Sequence, residues 1–347
     1  MKKELFGKLA NDQEVHLYTI ETDTLKLTAS DLGGLIVKLE VPDKNGVWRD
    51  VVLGFDTLND YLEKNAPNFG ANVGRNANRT ANACFKIDDI EYQMPANEGI
   101  NNLHSGPNTL QLRLWEMINA EENKLVFALD SLDGDQGFPG NMRMSVAYVV
   151  EDGGVTITYD GLSDKKTVFN MTNHSYFNLN GHDQGTILNH QLQMNANYYT
   201  PVIDSNSIPT GKLANVAETP MNFLTAKTIG AEIDADFEQL QMTGGYDHNF
   251  VLNKGKDQFA YFAKAVGDQS GIAMEVATDL PGVQLYTGNF LDGLVGKNQV
   301  AYQKRAAFCL ETQYFPNSLN EENFEAPLIE AMTWGTHVTR YQFSVAE

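Results

Sequence analysis

Turn-forming residues interrupt this chain too often for long helices to form. Most of its length falls into short runs rich in Val, Thr, Ile, Tyr and Phe and bounded by Gly, Asn and Asp, as at 14–20, 32–41, 124–130, 142–150 and 155–162. Side chains alternate faces along a strand, so runs of this length and composition pair into sheets with one face packed inward. Asp152-Gly153-Gly154, between the last two runs, is a hairpin signal, because glycine accepts the positive φ that a tight connection needs. Helical signals are confined to two places. Thr57–Asn65, with its threonine start, predicts a short helix, and Lys227–Leu240 predicts another turn or two; neither supplies the crossovers of a parallel sheet. The expected class is all-β, a large antiparallel β-sandwich. No repeat, Pro-rich linker or low-complexity block divides the 347 residues, so 1–347 is expected to be a single domain, and 42% hydrophobic content can fill a large core.

Charge and cysteine usage narrow the partners. A net charge of −20 leaves no basic stripe to release counterions from a phosphate backbone, so no nucleic acid and no anionic membrane surface is expected. Met1-Lys2-Lys3 is followed by a mixed polar stretch rather than an apolar signal core, and no window reaches transmembrane length. Cys84 and Cys309 stand far apart without Cys-x-x-Cys spacing, which argues against a disulfide framework and a zinc site. A cytoplasmic address follows as the expectation. The Asn-x-Ser/Thr triplets at Asn78, Asn170 and Asn173 are read as accidental.

Two segments carry candidate chemistry. A strand through 168–179 would put Asn170, Thr172, His174, Tyr176 and Asn178 on one face and Phe169, Met171, Phe177 and Leu179 on the other. Solvated faces are usually filled with Lys, Glu and Thr, whereas alternating Asn, His and Tyr suit a cleft for a polyhydroxylated ligand. In 306–316, Glu311 interrupts an otherwise apolar strand, flanked on its face by Cys309 and Gln313. Desolvation should raise its pKa, as a general base working near neutrality requires, but a buried glutamate held by a structural arginine would read the same way.

Three further stretches place a charged or imidazole side chain beside glycine: 74–80 with Arg75 and Arg79, 101–106 with His104, and 244–250 with Asp247. The first lacks the Gly-Lys-Ser/Thr ending of a phosphate loop. His16, His182, His190 and His337 have no such context and are read as surface or core residues. There is no Gly-x-Ser-x-Gly elbow, His-Glu-x-x-His, dinucleotide fingerprint or calcium loop, so catalysis would run on acid–base groups alone.

Taken in order, these segments resemble the galactose mutarotase (aldose 1-epimerase) family over most of the chain. The most specific matches are Thr172-Asn173-His174-Ser175-Tyr176-Phe177-Asn178-Leu179, Tyr286-Thr287-Gly288-Asn289-Phe290 and Leu310-Glu311-Thr312-Gln313, supported by 74–79 and 246–250. The resemblance implies a β-supersandwich that interconverts the α and β anomers of a free aldohexose such as galactose or glucose, with no organic cofactor and no required metal. Glu311 is the implied general base at the anomeric hydroxyl, His174 the general acid at the ring oxygen, and His104 a second imidazole nearby. Arg79, Asp247 and Gln284 are implied to bind the other hydroxyls, with Asn78 and Tyr176 as neighbours. A monomer or homodimer is expected.

The chain departs from the family pattern at Ser105, where a second glycine is usual, at Thr80, where a branched apolar residue is usual, and at 329–333, which lacks a Pro-Gly-Glu turn. A hexose-6-phosphate epimerase would need more cations than Arg75 and Arg79 near the motifs. A non-catalytic sugar-binding module would have no use for a desolvated carboxylate opposite an imidazole.

Overall fold

A computed structural model describes residues 1–346. Period-two patterning is expressed most fully in the Met142–Glu151 and Gly154–Ser163 strands, where burial alternates residue by residue. Met142, Met144, Val146, Tyr148 and Val150 all turn inward. Each large apolar side chain so buried is worth about 1.5–3 kcal/mol. A one-residue slip would expose the whole set, so register is strongly pinned. Between the strands, Asp152 at φ 51° and Gly153 at φ 72° form the two-residue connection, closed by the Glu151–Gly154 pair.

These strands belong to a nine-stranded antiparallel sheet. Its order is Glu116–Ala120, Lys124–Ser131, Met142–Glu151, Gly154–Ser163, Trp334–Val345, Ile272–Thr278, Ala260–Val266, Gln191–Met194 and Lys227–Thr228. The chain's first five strands, from Lys2–Lys8 to Trp48–Asp50, form an antiparallel meander. Five later-named strands build the site. β1 (Ala71–Val73) pairs with β2 (Thr172–His174). β3 (Asp247–Val251), β4 (Gly282–Tyr286) and β5 (Cys309–Gln313) are successive neighbours in a second five-stranded sheet, and β2 lies against β5. Tyr18 and Leu27 of the meander, Val146 and Ile157 of the large sheet, and Leu285 and Leu310 of the site sheet share one apolar cluster. The architecture is the expected all-β sandwich.

Local departures have visible causes. The run at 32–41 is not one strand: Gly33 and Gly34 adopt φ 65° and 60°, and pairing begins at Ile36. A Cβ on Gly33 would lie 2.5 Å from the Gln111 backbone, so only glycine fits that crossing. The first helix is α1, Leu58–Lys64, whose N-cap Thr57 Oγ1 accepts from the Asp60 amide at 3.2 Å. The 227–240 region holds a strand pair at Lys227–Thr228, a 3₁₀ turn at Ile229–Ala231 and the start of α2, Glu238–Thr243. Among the described residues, no helix is long and apolar enough to cross a membrane.

Candidate active site

The site sheet divides its residues by parity. Phe250, Val283, Leu285 and Leu310 enter the apolar core, and the alternate positions face the other way. Antiparallel register then aligns Asn249, Gln284 and Glu311 in one cross-strand row and Asp247, Tyr286 and Cys309 in the next. β2 brings His174 against this face. The outcome is a cavity of about 240 Å³ lined by residues that include Asn78, Arg79, Glu98, His104, His174, Tyr176, Asp247, Tyr286 and Glu311. That is smaller than the ~300–1,000 Å³ of pockets for drug-sized ligands and suits one small polar molecule.

At its floor, Glu311 Oε1 lies 3.6 Å from His174 Nε2. Both side chains are buried, and Glu311 Oε2 has no partner. Burial, reinforced by Asp247 and opposed by Arg79, pushes the Glu311 carboxyl well above its ordinary value. Burial also pulls the His174 imidazole down to about 4. Each shift favours an uncharged group, a protonated Glu311 carboxyl beside a neutral His174 imidazole. The His174 ring is fixed on both sides: Cys309 Sγ lies 3.5 Å from Nδ1, and Tyr176 stacks on it at 5.0 Å and 17°. The Tyr176 hydroxyl donates to the Pro67 carbonyl at 3.0 Å, tying the ring stack to the loop that follows α1.

His104 sits in a loop whose backbone is left-handed at His104 and Ser105. Its amide donates to the Asn78 carbonyl at 3.0 Å, and its Nδ1 accepts from the Asn78 amide at 3.1 Å. A neutral imidazole accepting through Nδ1 carries its proton on Nε2. Burial, His174 and Arg79 all lower its pKa, so it stays neutral. Ser105 holds the conformation that a glycine would otherwise favour: its hydroxyl donates to the Asn76 carbonyl at 2.9 Å and accepts from the Asn76 amide at 3.0 Å. Thr80 Oγ1 accepts from Asn76 Nδ2 at 3.1 Å, which accounts for a hydroxyl at that buried position.

His104, His174 and Glu311 can bring one donor atom each within 4.8 Å of one another, a spacing that could hold a metal ion. The Asn78 amide opposes this. Ligation through His104 Nε2 would require either an imidazolate or loss of the Asn78 bond, so the ring acts as a hydrogen-bond donor.

Arg79 and Asp247 form the opposite wall. Arg79 Nε and Nη2 donate to Glu98 at 2.8 and 2.9 Å, and Nη1 lies 3.9 Å from Asp247 Oδ2. Burial would lower the Arg79 pKa, but Asp247 and Glu98 more than offset it. Burial raises Asp247, against Arg79 and a 2.6 Å hydrogen bond from Gln284 Nε2.

A model of the aldose 1-epimerase family matches residues 16–342. The chain is 38% identical over 346 residues to a galactose mutarotase from Sus scrofa, covering 99% of this chain and 98% of the relative. It is 35% identical over 335 residues to an aldose 1-epimerase from Escherichia coli (strain K12), covering 95% and 96%. A solved GalM/aldose epimerase homologue from C. elegans superposes with a TM-score of 0.87 at 30% identity, covering 95% of this chain and 99% of that one. The chain belongs to the aldose 1-epimerase family. It is accordingly an enzyme, a carbohydrate isomerase that interconverts aldose anomers.

Seven of the eight site residues expected for this epimerase line the cavity: Glu311, His174, His104, Arg79, Asp247, Asn78 and Tyr176. Gln284 does not; it donates to Asp247 through Nε2, with its Oε1 buried and unpartnered. Asn78 spends its side chain on the Arg79 amide and on Gln313, so its backbone does more for the site than its amide group. The five-residue polar face of 168–179 is only partly a cleft. Asn170 binds Asn76 and the Tyr314 amide, Asn178 binds the Gly185 and Ala306 carbonyls, and Thr172 is buried outside the cavity, which leaves His174 and Tyr176 in it. Asn78, Asn170 and Asn173 are all buried. Arg75 is also buried, its guanidinium spent on Ser131, Leu132, Pro139 and Gly140, so it offers nothing to a phosphate.

Glu98 and the aromatic pair Tyr286–Phe290 were not foreseen as cavity residues, although the last two lie in a recognised motif. Phe290 is 72% exposed at the mouth and stacks on Tyr286 at 6.4 Å.

Proposed function

We propose that the protein opens and recloses the ring of free aldohexoses, galactose and glucose among them, with Glu311 as general base and His174 as general acid. The supporting observation is the 3.6 Å approach of Glu311 Oε1 and His174 Nε2, both buried, in a cavity lined by polar side chains. Anomeric exchange moves one proton from the C1 hydroxyl to the ring oxygen, and both oxygens are bonded to C1. Two groups side by side can serve both at once.

In the opening step the pair reacts in its ion-pair form, with the shared proton passed from Glu311 to His174: the carboxylate takes the proton of the C1 hydroxyl, the C1–O5 bond breaks as the aldehyde forms, and the imidazolium gives its proton to O5. The pair is now uncharged, the state that burial favours. Rotation about C1–C2 presents the other face of the aldehyde. Glu311 returns its proton to the carbonyl oxygen while His174 takes the one on O5, so the pair ends as it began.

His104 donates from Nε2 toward the ring oxygen, and Arg79 and Asp247 bind hydroxyls remote from C1. Gln284 acts through Asp247. We read residues 1–347 as one domain, supported by the apolar cluster shared among the sheets, and as a cytoplasmic protein, supported by the unpaired Cys84 and Cys309. Polarimetry of freshly dissolved α-galactose and α-glucose tests the reading: both should equilibrate faster with enzyme than in buffer. Equilibration no faster than in buffer would overturn it.

A further inference from the structure

We infer that Glu98 makes the enzyme selective against negatively charged aldoses, both uronic acids and hexose phosphates. The inference rests on the sugar-binding reading of the cavity and concerns what the cavity refuses. Arg79 is the one arginine or lysine among the cavity-lining residues, beside three acidic residues: Glu98, Asp247 and Glu311. A guanidinium recognises a carboxylate or phosphate best through a two-pronged edge. In Arg79 the Nε/Nη2 edge is filled by Glu98, at 2.8 and 2.9 Å, which leaves the second Nη2 proton and the two on Nη1, with Nη1 3.9 Å from Asp247. Glu98 therefore takes one of the two bidentate edges of the guanidinium, offsets its charge and sets a repelling carboxylate beside the edge that is left.

The arrangement is built rather than incidental. Arg79 has a side-chain exposure of 12% and Glu98 of 31%, so the pair is partly shielded from solvent. Glu98 is held by a tight turn closed by reciprocal hydrogen bonds with Asn101, its amide donating at 3.1 Å and its carbonyl accepting at 3.0 Å. The turn passes through Gly99 at φ 61°. Asn102–Leu103 then pairs with Arg79–Thr80, which sets the carboxylate against the guanidinium.

The measurement is the ratio of kcat/KM for galactose to that for galacturonate, and to that for galactose 6-phosphate, in wild type, Glu98→Ala, Glu98→Gln and Glu98→Asp. Wild type should favour galactose strongly. In Glu98→Ala the ratio should fall about ten- to a hundredfold, the value of one charge-assisted interaction gained. Glu98→Gln should fall less, since its amide oxygen still occupies part of the edge, and Glu98→Asp should stay near wild type. The carboxylate and phosphate arms show which anion the freed edge accepts; a fall in either supports the inference. Calorimetric affinities for galactose and galacturonate give the ratio without turnover, so a failure of the epimerase reading would not mask the result. An unchanged ratio in Glu98→Ala, or equal losses on neutral and charged sugars, would overturn the inference and leave Glu98 as a brace for Arg79.

Discussion

Gln284 Nε2 donates to Asp247 Oδ1 at 2.6 Å from the adjacent strand, so the amide holds a carboxylate that lines the cavity. Asp247→Ala should raise KM more than it lowers kcat, because a hydroxyl contact made equally in ground and transition states is lost from both. The expected cost is about 1.5–3 kcal/mol, typical for a hydrogen bond to a charged group. Gln284→Met should raise KM by a smaller factor and lower thermal stability modestly, since the lost hydrogen bond to buried Asp247 is only partly offset by removal of the orphaned Oε1. A larger KM effect from Gln284→Met than from Asp247→Ala would place Gln284 in direct contact with the sugar.

The Glu311–His174 pair fixes the shape of the pH profile. The working form carries one proton. A second proton adds as pH falls through the depressed imidazole value of about 4, and the last proton leaves as pH rises through the elevated Glu311 value. The profile should be a bell whose acid limb comes from the imidazole and whose alkaline limb comes from the carboxyl, the reverse of the order the two groups have in water. Stability follows the same shift. A carboxyl raised on folding contributes stability below its ordinary 4.5 that is lost as pH rises toward the folded value. Glu311→Gln has no such loss and should melt higher than wild type at neutral pH, with the advantage shrinking in acid. Equal melting temperatures across that range would mean that Glu311 is not raised.

His104 should be seen by nitrogen NMR as the Nε2–H tautomer, with no titration near its ordinary 6.5, because Nδ1 accepts from Asn78 and burial disfavours the cation. A chelator should leave the rate unchanged, and zinc should inhibit only weakly, since ligation through Nε2 would break the Asn78 bond. Tight zinc inhibition that is lost in His104→Gln would show that the ring rotates to ligate.

Strand-forming runs were legible because period-two burial is a local property, and the hairpin at 152–154 was legible because positive φ leaves glycine in the sequence. Glu311 and His174 could be found because each breaks a local rule, a carboxylate in an apolar strand and an imidazole in a polar alternation. Glu98 breaks none: an acid in an Asn/Gly loop looks solvated, and only the long-range pairing of Asn102–Leu103 with Arg79–Thr80 makes it a cavity residue. Asn170 and Asn178 misled for the complementary reason. Their amides satisfy distant backbone groups, a demand that no alternation along one strand reveals. The break at Gly33-Gly34 was likewise hidden, because it answers to the Gln111 backbone across a crossing.

Replacing the two members of the proton-sharing pair, separately and together, tests the mechanism most directly. General acid–base groups typically contribute about 10²–10⁴-fold each, so Glu311→Gln and His174→Asn should each lower kcat by at least the lower bound while galactose still binds. Their effects should not multiply. With Oε1 and Nε2 3.6 Å apart and one proton between them, removing either group strands the proton that the other must give or take. The double variant should therefore be little slower than the slower single one, the signature of residues that act as a unit. A fully multiplicative loss would mean that the two groups act in separate steps. Folded Glu311→Gln protein with near-wild-type kcat would remove the carboxylate from the chemistry altogether.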